Sequence, residues 1–133
     1  MNTFDITIAM PTEDRRRAHA FAQALGLQTP GELAEDGVPE PLQVVVNQRA
    51  RVMYIPTGGF GWVTAERATA EAGTAECLLS ISVDSTSTVD NLIRAAGDAG
   101  AEVAIQPQQR EWGYTGTIAD PDGDLWEIMH PAQ

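Results

Sequence analysis

The chain of 133 residues is short of several residue types, and each shortage excludes a class of function. Its single cysteine, Cys77, cannot form an internal disulfide, which fits a reducing compartment. There are two histidines, His19 on a predicted helix and His130 out of phase with its strand neighbour Glu127, and neither is placed to serve as the base of a nucleophilic serine. Only 8 basic residues stand against 19 acidic ones, so the net charge is −11. A field of that sign repels phosphate backbones and anionic lipids, and we therefore expect neither nucleic-acid nor membrane-surface binding.

Long apolar runs and phosphate-binding signatures are also missing. No hydrophobic run approaches the ~20 residues of a membrane span, and no signal-peptide pattern opens the sequence. The segment 58–61, Gly-Gly-Phe-Gly, is not followed by the lysine of a phosphate loop. The length fits one domain with a core of its own. We expect a cytoplasmic protein, with Cys77 as a buried small hydrophobe.

An internal repeat is the main positive signal. A turn at 47–50 precedes a short apolar strand, and a turn at 120–123 precedes another, 73 positions later. Two earlier strands, which end at Met10 and Val83, are also 73 positions apart. Each of these strands runs into a helical segment. Matching distances at two places indicate a duplicated module.

Hydrophobic periodicity predicts the elements of each module. Alternation of period two indicates strands, and apolar positions at helical spacing indicate helices. The predicted strands are 6–10, 42–47, 51–57, 77–83, 102–105, 114–119 and 125–130, and the predicted helices are 14–25 and about 86–99. Residues 28–41 and 107–112 are predicted loops, and the first of these is long enough to cover a binding site. The predicted class is α+β.

At this point the sequence resembles the vicinal oxygen chelate superfamily, which contains the glyoxalase I, bleomycin-resistance and extradiol-dioxygenase families. The specific part is residues 113–128, Gly-Tyr-Thr-Gly-Thr-Ile-Ala-Asp-Pro-Asp-Gly-Asp-Leu-Trp-Glu-Ile. The resemblance implies a single domain over 1–133, with βαβββ modules at about 1–63 and 76–133 joined by a linker at 64–75. It implies that the modules form a cupped mixed sheet around a ligand cavity. It also implies a homodimer, and the sequence leaves open whether the cup is completed within one chain or by the partner chain.

The resemblance further implies four symmetric metal-ligand positions. Aligned through the 73-residue repeat, they are Asp5, Tyr54, Leu78 and Glu127. A register slip of one residue would place Phe4 and Cys77 at the first-strand positions instead. Leu78 cannot bind an ion, and zinc, nickel and iron prefer imidazole ligands that this set lacks. We therefore expect no cofactor; if a divalent metal is bound, Asp5 and Glu127 are its ligands.

Several side chains are candidates for binding a molecule inside the cup. Glu127 is the candidate catalytic group, because a carboxylate in such a cavity can serve acid–base chemistry. The candidate ligand-binding residues are Thr7, Tyr54, Phe60, Trp62, Leu78, Ser80, Trp112 and Tyr114. They comprise small or apolar inner-face side chains and aromatics in loops or at the mouth, and each also has an ordinary interpretation as packing or strand surface.

Two functional hypotheses from different classes follow. The first is a glyoxalase/bleomycin-resistance-like protein that binds a small planar or hydrophobic molecule without a complete catalytic metal site. The alternative is a divalent-metal-dependent lyase, isomerase or dioxygenase of the glyoxalase type. A scaffold without a ligand of its own is a third possibility. The sequence leaves open whether the protein is an enzyme.

Overall fold

The computed structural model describes residues 4–133. They fall into two compact units, Met1–Ala70 and Glu71–Gln133. Each unit combines a mixed sheet with a helix that covers one of its faces. The expected α+β class and the two-module organisation are confirmed.

The first unit contains three strands. Its elements are β1 (Ile6–Thr12), α1 (Arg15–Ala24), β2 (Leu42–Val45), β3 (Ala50–Pro56) and the short α2 (Thr57–Phe60). The sheet order is β1-β3-β2, with β1 parallel and β2 antiparallel to β3. Asp14 caps α1 because its carboxylate accepts the amide hydrogens of Arg16 and Arg17. The further strand expected from a βαβββ module is absent from the described part of this unit.

The core of the first unit lies between α1 and the sheet. Alternate residues of β3 are buried, and their partners on the neighbouring strands are buried with them. This helix face of the sheet consists mainly of Met10, Leu42, Val44, Val52 and Tyr54, and α1 contributes Ala18, Phe21 and Ala22. The opposite side is here called the far face. It carries Thr7, Ala9, Gln43, Arg51 and Met53.

The second unit contains four strands. Its elements are β4 (Leu78–Ser82), α3 (Thr86–Asp98), β5 (Glu102–Arg110), β6 (Gly113–Ala119) and β7 (Leu125–Pro131). The sheet order is β4-β7-β6-β5, and β4 is parallel to β7. Strand β5 continues to Arg110, so the expectation of a loop at 107–112 is wrong for most of that segment. Its register with β6 shifts twice, between Val103 and Ile105 and between Ile105 and Gln108.

The core of the second unit lies under α3. Val89, Ile93 and Ala96 of the helix are buried, as are Ile118, Trp126 and Ile128 of the strands. Gly116 permits this close packing, since a Cβ atom there would lie 3.1 Å from Ile93 Cδ1. The far face of this sheet carries Ser80, Thr115, Thr117 and Glu127. Within residues 4–133, no helix is long and apolar enough to cross a membrane.

The turn between β6 and β7 is held by Asp120, which is buried. Its Oδ1 atom accepts the amide hydrogens of Asp122 at 3.0 Å and Asp124 at 2.9 Å, and its Oδ2 atom accepts from Trp126 Nε1 at 3.2 Å. Gly123 has a φ of +90°, a conformation that favours glycine. The sequence Asp-Pro-Asp-Gly-Asp therefore builds a turn that also fixes the indole of Trp126.

The two units repeat one topology, but the distance between equivalent positions is not constant. Ser85 caps α3 71 positions after Asp14 caps α1. The β2–β3 hairpin centres on position 48 and the β6–β7 hairpin on position 122, which is 74 later. The expected constant spacing of 73 is therefore wrong. Because side chains alternate along a strand, an error of one residue exchanges the two faces of the sheet.

Candidate functional site

Glu127 lies in the middle of the far face of the second sheet. It pairs with Ser80 on β4 and with Thr117 on β6. Its neighbours in β7, Trp126 and Ile128, point into the core, so strand alternation directs the carboxylate away from α3. The site is built on strands of one unit.

Three side chains donate hydrogen bonds to this carboxylate. Ser80 Oγ donates to Oε1 at 2.8 Å, and Thr115 Oγ1 donates to Oε2 at 2.8 Å. The indole Nε1 of Trp112 donates to Oε2 at 3.3 Å. A carboxylate can accept about four such bonds, so one acceptor position, on Oε1, is left for a donor from outside this set.

The surroundings favour the ionised form of Glu127. Partial burial alone would raise its pKa, but the donors from Thr115, Ser80 and Trp112 outweigh burial and lower the pKa below the usual value. A carboxylate with a lowered pKa is a poor proton acceptor and a good partner for a cation or an N–H donor.

An aromatic ring and apolar side chains adjoin the carboxylate. The guanidinium carbon of Arg110 lies 5.8 Å from the centroid of the Trp112 ring, within the range of a cation–π contact. Trp112, Leu78 and Ile105 are exposed at 55%, 49% and 42%. Leu78 and Ile105 share the far face with Glu127, as their strand pairings show. This half of the molecule therefore combines one anionic group with accessible apolar surface.

Four of the residues selected from the sequence come together here: Leu78, Ser80, Trp112 and Glu127. The sequence pointed to neither Thr115 nor Arg110. Thr115 could have been predicted from the hairpin. In its register Thr117 pairs with Glu127, and Thr115, two residues before Thr117, therefore lies on the same face of the sheet.

Two tyrosines selected from the sequence lie elsewhere. Tyr54 is 1% exposed and belongs to the helix face of the first sheet. The hairpin spacing of 74 makes Met53 the counterpart of Glu127, so the placement of Tyr54 inside the cup is wrong by one residue. Tyr114 faces α3, where its hydroxyl donates to Asp90 Oδ1 at 2.7 Å. It does not line the same face as Glu127.

The remaining candidates belong to the first unit. Thr7 lies on the far face of that sheet, beside Arg51 of β3. Phe60 ends α2 and is partly exposed, while Trp62 follows it and is 82% exposed. Asp5 forms an exposed ion pair with Arg49 at 3.3 Å.

The metal that the resemblance implies requires a group of ligating side chains. Within residues 4–133, no group of three or more histidine, cysteine, aspartate or glutamate side chains is arranged to hold a metal ion. His19 bonds to Thr29 and His130 to the carbonyl of Val83. Cys77, expected to be buried, is exposed and immediately precedes β4. The residues around Glu127 therefore do not fit a transition-metal site.

Comparison with known proteins adds a family match. The family model described as Glyoxalase/Bleomycin resistance protein/Dioxygenase superfamily matches residues 7–128. No curated protein matches the chain.

Several solved structures share the fold at low sequence identity. A hypothetical protein of S. aureus is 19% identical, with a TM-score of 0.80 over 98% of this chain and 94% of that one. A glyoxalase-related enzyme from Fulvimarina pelagi is also 19% identical, with a TM-score of 0.80 over 97% and 88%. TnmS3, an antibiotic binding protein from Streptomyces sp. CB03234, is 19% identical, with a TM-score of 0.66 over 98% of both chains.

Proposed function

The chain belongs to the Glyoxalase/Bleomycin resistance protein/Dioxygenase superfamily, and from this premise we propose that it binds a small planar or hydrophobic molecule around Glu127 without a complete catalytic metal site. A neighbour of the same fold is an antibiotic binding protein, which supports small-molecule binding as the function. The ligand class follows from the chemistry of the far face of the second sheet.

The hydrogen bonding of Glu127 is the observation that carries this proposal. Three donors hold the carboxylate ionised and leave one acceptor position on Oε1. A cationic or N–H group of a ligand would complete the set. Leu78 and the ring of Trp112 would contact its apolar part.

Binding agrees better with this site than acid–base catalysis does. An efficient general base has a pKa near the working pH, whereas the donors around Glu127 lower its pKa. The net charge of −11 also attracts cationic ligands at long range. We therefore propose a planar cation as the preferred ligand and sequestration as its outcome. We further propose that the protein acts as a homodimer.

The test is a fluorescence titration with two planar dyes of opposite charge, proflavine as the cation and fluorescein as the anion. We expect proflavine to bind and fluorescein not to bind. Glu127→Gln should weaken proflavine binding about ten- to a hundredfold, because a hydrogen bond to a charged group contributes about 1.5–3 kcal/mol. Glu71→Gln, an exposed carboxylate in the same unit, is the matched control. Equal binding of both dyes, or no change in Glu127→Gln, would contradict the proposal.

Metal titration separates this proposal from the alternative of a metal-dependent lyase, isomerase or dioxygenase. Calorimetry with nickel, zinc and manganese should show no tight stoichiometric binding by protein purified without a histidine tag. Tight binding that disappears in Glu127→Ala would favour the metal-dependent alternative and overturn the metal-free site.

A further inference from the structure

The helix side of the second sheet contains a cavity of about 400 Å³. Its lining comes from α3 between Asp90 and Asp98, from β5 and from Tyr114 of β6. Tyr114 faces α3, whereas its neighbour Thr115 bonds to Glu127 on the other side of the sheet. The cavity is therefore distinct from the site around Glu127. Its volume lies within the range of small-molecule sites.

The sequence creates this cavity by two local features. Gly97 has no side chain where α3 faces β5, and a Cβ atom there would lie 3.3 Å from Val103 Cγ2. The register shifts in β5 break its regular alternation, and the consecutive residues Gln106 and Pro107 both line the cavity. Irregularities of this kind redirect side chains and are common beside binding sites.

Charges of both signs border the cavity from one side of α3. Asp90, Arg94 and Asp98 are spaced four residues apart, about 6 Å along the helix axis. Such a series usually forms ion pairs within the helix. In the described chain, Arg94 makes no ion pair with either aspartate, and instead donates to Asn91 Oδ1 at 2.6 Å. The guanidinium and the carboxylate of Asp98 are therefore available to a ligand.

The remaining lining adds an apolar floor and neutral polar groups. Ile93 and Val103 supply aliphatic surface, and the amide of Gln106 supplies both a donor and an acceptor. Two carboxylates beside one guanidinium repel phosphates and other multiply charged anions. They match a ligand that carries one ammonium and one carboxylate group.

We propose that this cavity binds a free amino acid with an apolar side chain. Its carboxylate bonds to Arg94, its ammonium group bonds to Asp98 or Asp90, and its side chain packs on Ile93 and Val103. Charge-assisted hydrogen bonds to both ends distinguish such a ligand from molecules that carry only one of the two charges.

The test is an NMR titration of the whole chain with L-phenylalanine, observed at the methyl groups of Ile93 and Val103. Phenethylamine and 3-phenylpropionate, which each carry one of the two charges, serve as comparison ligands. We expect saturable shifts with L-phenylalanine and binding weaker by about tenfold or more with each analogue. Absence of a saturable shift, or equal binding of either analogue, would overturn the proposal.

Variants identify the residues that act. Arg94→Gln should weaken L-phenylalanine binding about tenfold or more, whereas Arg67→Gln, at an exposed position of the first unit, should not. Thermal unfolding of both variants checks that the fold is intact. Glu127→Gln should leave L-phenylalanine binding unchanged, because Glu127 lies on the other side of the sheet. A wrong assignment of this cavity can therefore be distinguished from a wrong assignment of the site around Glu127. Unchanged binding in Arg94→Gln, or loss in Glu127→Gln, would contradict the assignment.

Discussion

In the first unit the chain between α1 and β2, residues 25–41, is an irregular loop, whereas the corresponding segment of the second unit contains the nine-residue strand β5. Among residues 4–133, one isolated bridge, Gln28 to Val45, lies beside β2 in the position that β5 has beside β6. The loop contains three prolines, which lack the N–H that a strand ladder needs. The segment between the helix and the hairpin is thus a loop in the first unit and a strand in the second, in keeping with its local composition.

Different interactions hold the two segments in place. Backbone hydrogen bonds to β6 hold β5, despite its irregular register. The loop of the first unit is held by Arg15, whose side chain is only 12% exposed. Its guanidinium donates to Asp36 at 3.1 Å and to the carbonyls of Val38 and Pro39 at 3.0 Å. Arg16 Nε also donates to the carbonyl of Asp36 at 3.3 Å, and His19 bonds to Thr29, so side chains of α1 replace part of a strand pairing.

The far faces of the two sheets also differ. Where the second unit has Glu127 with three donors, the first has Met53, flanked by Arg51 and Gln43, which bond to each other. A duplicated fold therefore carries the anionic site in one copy only. Of the far faces of the two described sheets, the second is therefore the one that we propose contacts the ligand.

The largest effect is expected from Arg15→Ala, which tests how the loop is held. Removing the guanidinium takes away the donor of the Pro39 carbonyl and one of the donors of the Val38 carbonyl and of Asp36. We therefore expect a loss of about 2–3 kcal/mol in the free energy of unfolding. Urea denaturation measures this loss. Arg17→Ala, on the exposed side of the same helix, should change stability by less than about 0.5 kcal/mol. Equal effects of the two variants would show that Arg15 does not anchor the loop.

A smaller effect concerns the second hairpin, which has a carboxylate cluster that the first hairpin lacks. Burial and the neighbouring Asp120 raise the pKa of Asp124 to about 7. The folded state then binds more protons than the unfolded state between about pH 4 and pH 7, so this group lowers stability as pH rises through that range. Asp124→Asn should therefore gain stability relative to the parent, by about 1 kcal/mol after solvent screening.

Urea denaturation of Asp124→Asn at a series of pH values measures this difference. Glu35→Gln, at an exposed position in the first unit, is the control and should give a parallel curve. A constant difference between Asp124→Asn and the parent from pH 4 to pH 7 would contradict the raised pKa.

The smallest effect on stability is expected from Thr115→Val, which removes one donor from Glu127. The pKa of Glu127 should rise, because burial is then less well compensated. A lowered carboxyl pKa stabilises the fold above the unfolded-state pKa, and this contribution is lost as pH falls through the folded-state pKa. The variant should lose less stability in acid, by under about 0.5 kcal/mol.

Carboxyl ¹³C NMR of Glu127 follows this pKa directly. Thr7→Val on the far face of the first sheet is the control and should leave the Glu127 titration unchanged. An unshifted titration in Thr115→Val would mean that the hydroxyl does not influence the carboxylate.

Most of the strands and helices could be predicted because their burial follows a simple period. The alternation in β1 and the helical spacing in α3 are visible in the sequence. The length of β5 was not predictable, because Pro107 and the polar residues after it have the composition of a loop. The exposure of Cys77 could not be predicted either, since it depends on the position of β4 at the edge of its sheet.

The candidate site could be predicted only in part, for a geometric reason. Glu127 follows from the closing motif of the second module, and Ser80 was placed on the same face through its alternation with Leu78. The structure joins Glu127 and Ser80 by a hydrogen bond. Tyr54 was inferred by subtracting the expected repeat spacing of 73 from Glu127, whereas the two hairpins are 74 residues apart. Since side chains alternate, a transfer between repeats fails completely whenever the spacing error is odd.

The indole of Trp112 has a spectroscopic consequence. Of the three tryptophans, Trp126 is 1% exposed and Trp62 is 82% exposed, while Trp112 alone combines partial exposure with a hydrogen bond to Glu127. Arg110 lies over one side of the Trp112 ring. A planar ligand can therefore stack only on the opposite side of that ring. Ligand binding would then quench the fluorescence emission of Trp112, so binding can be followed by the protein's own fluorescence without an added label.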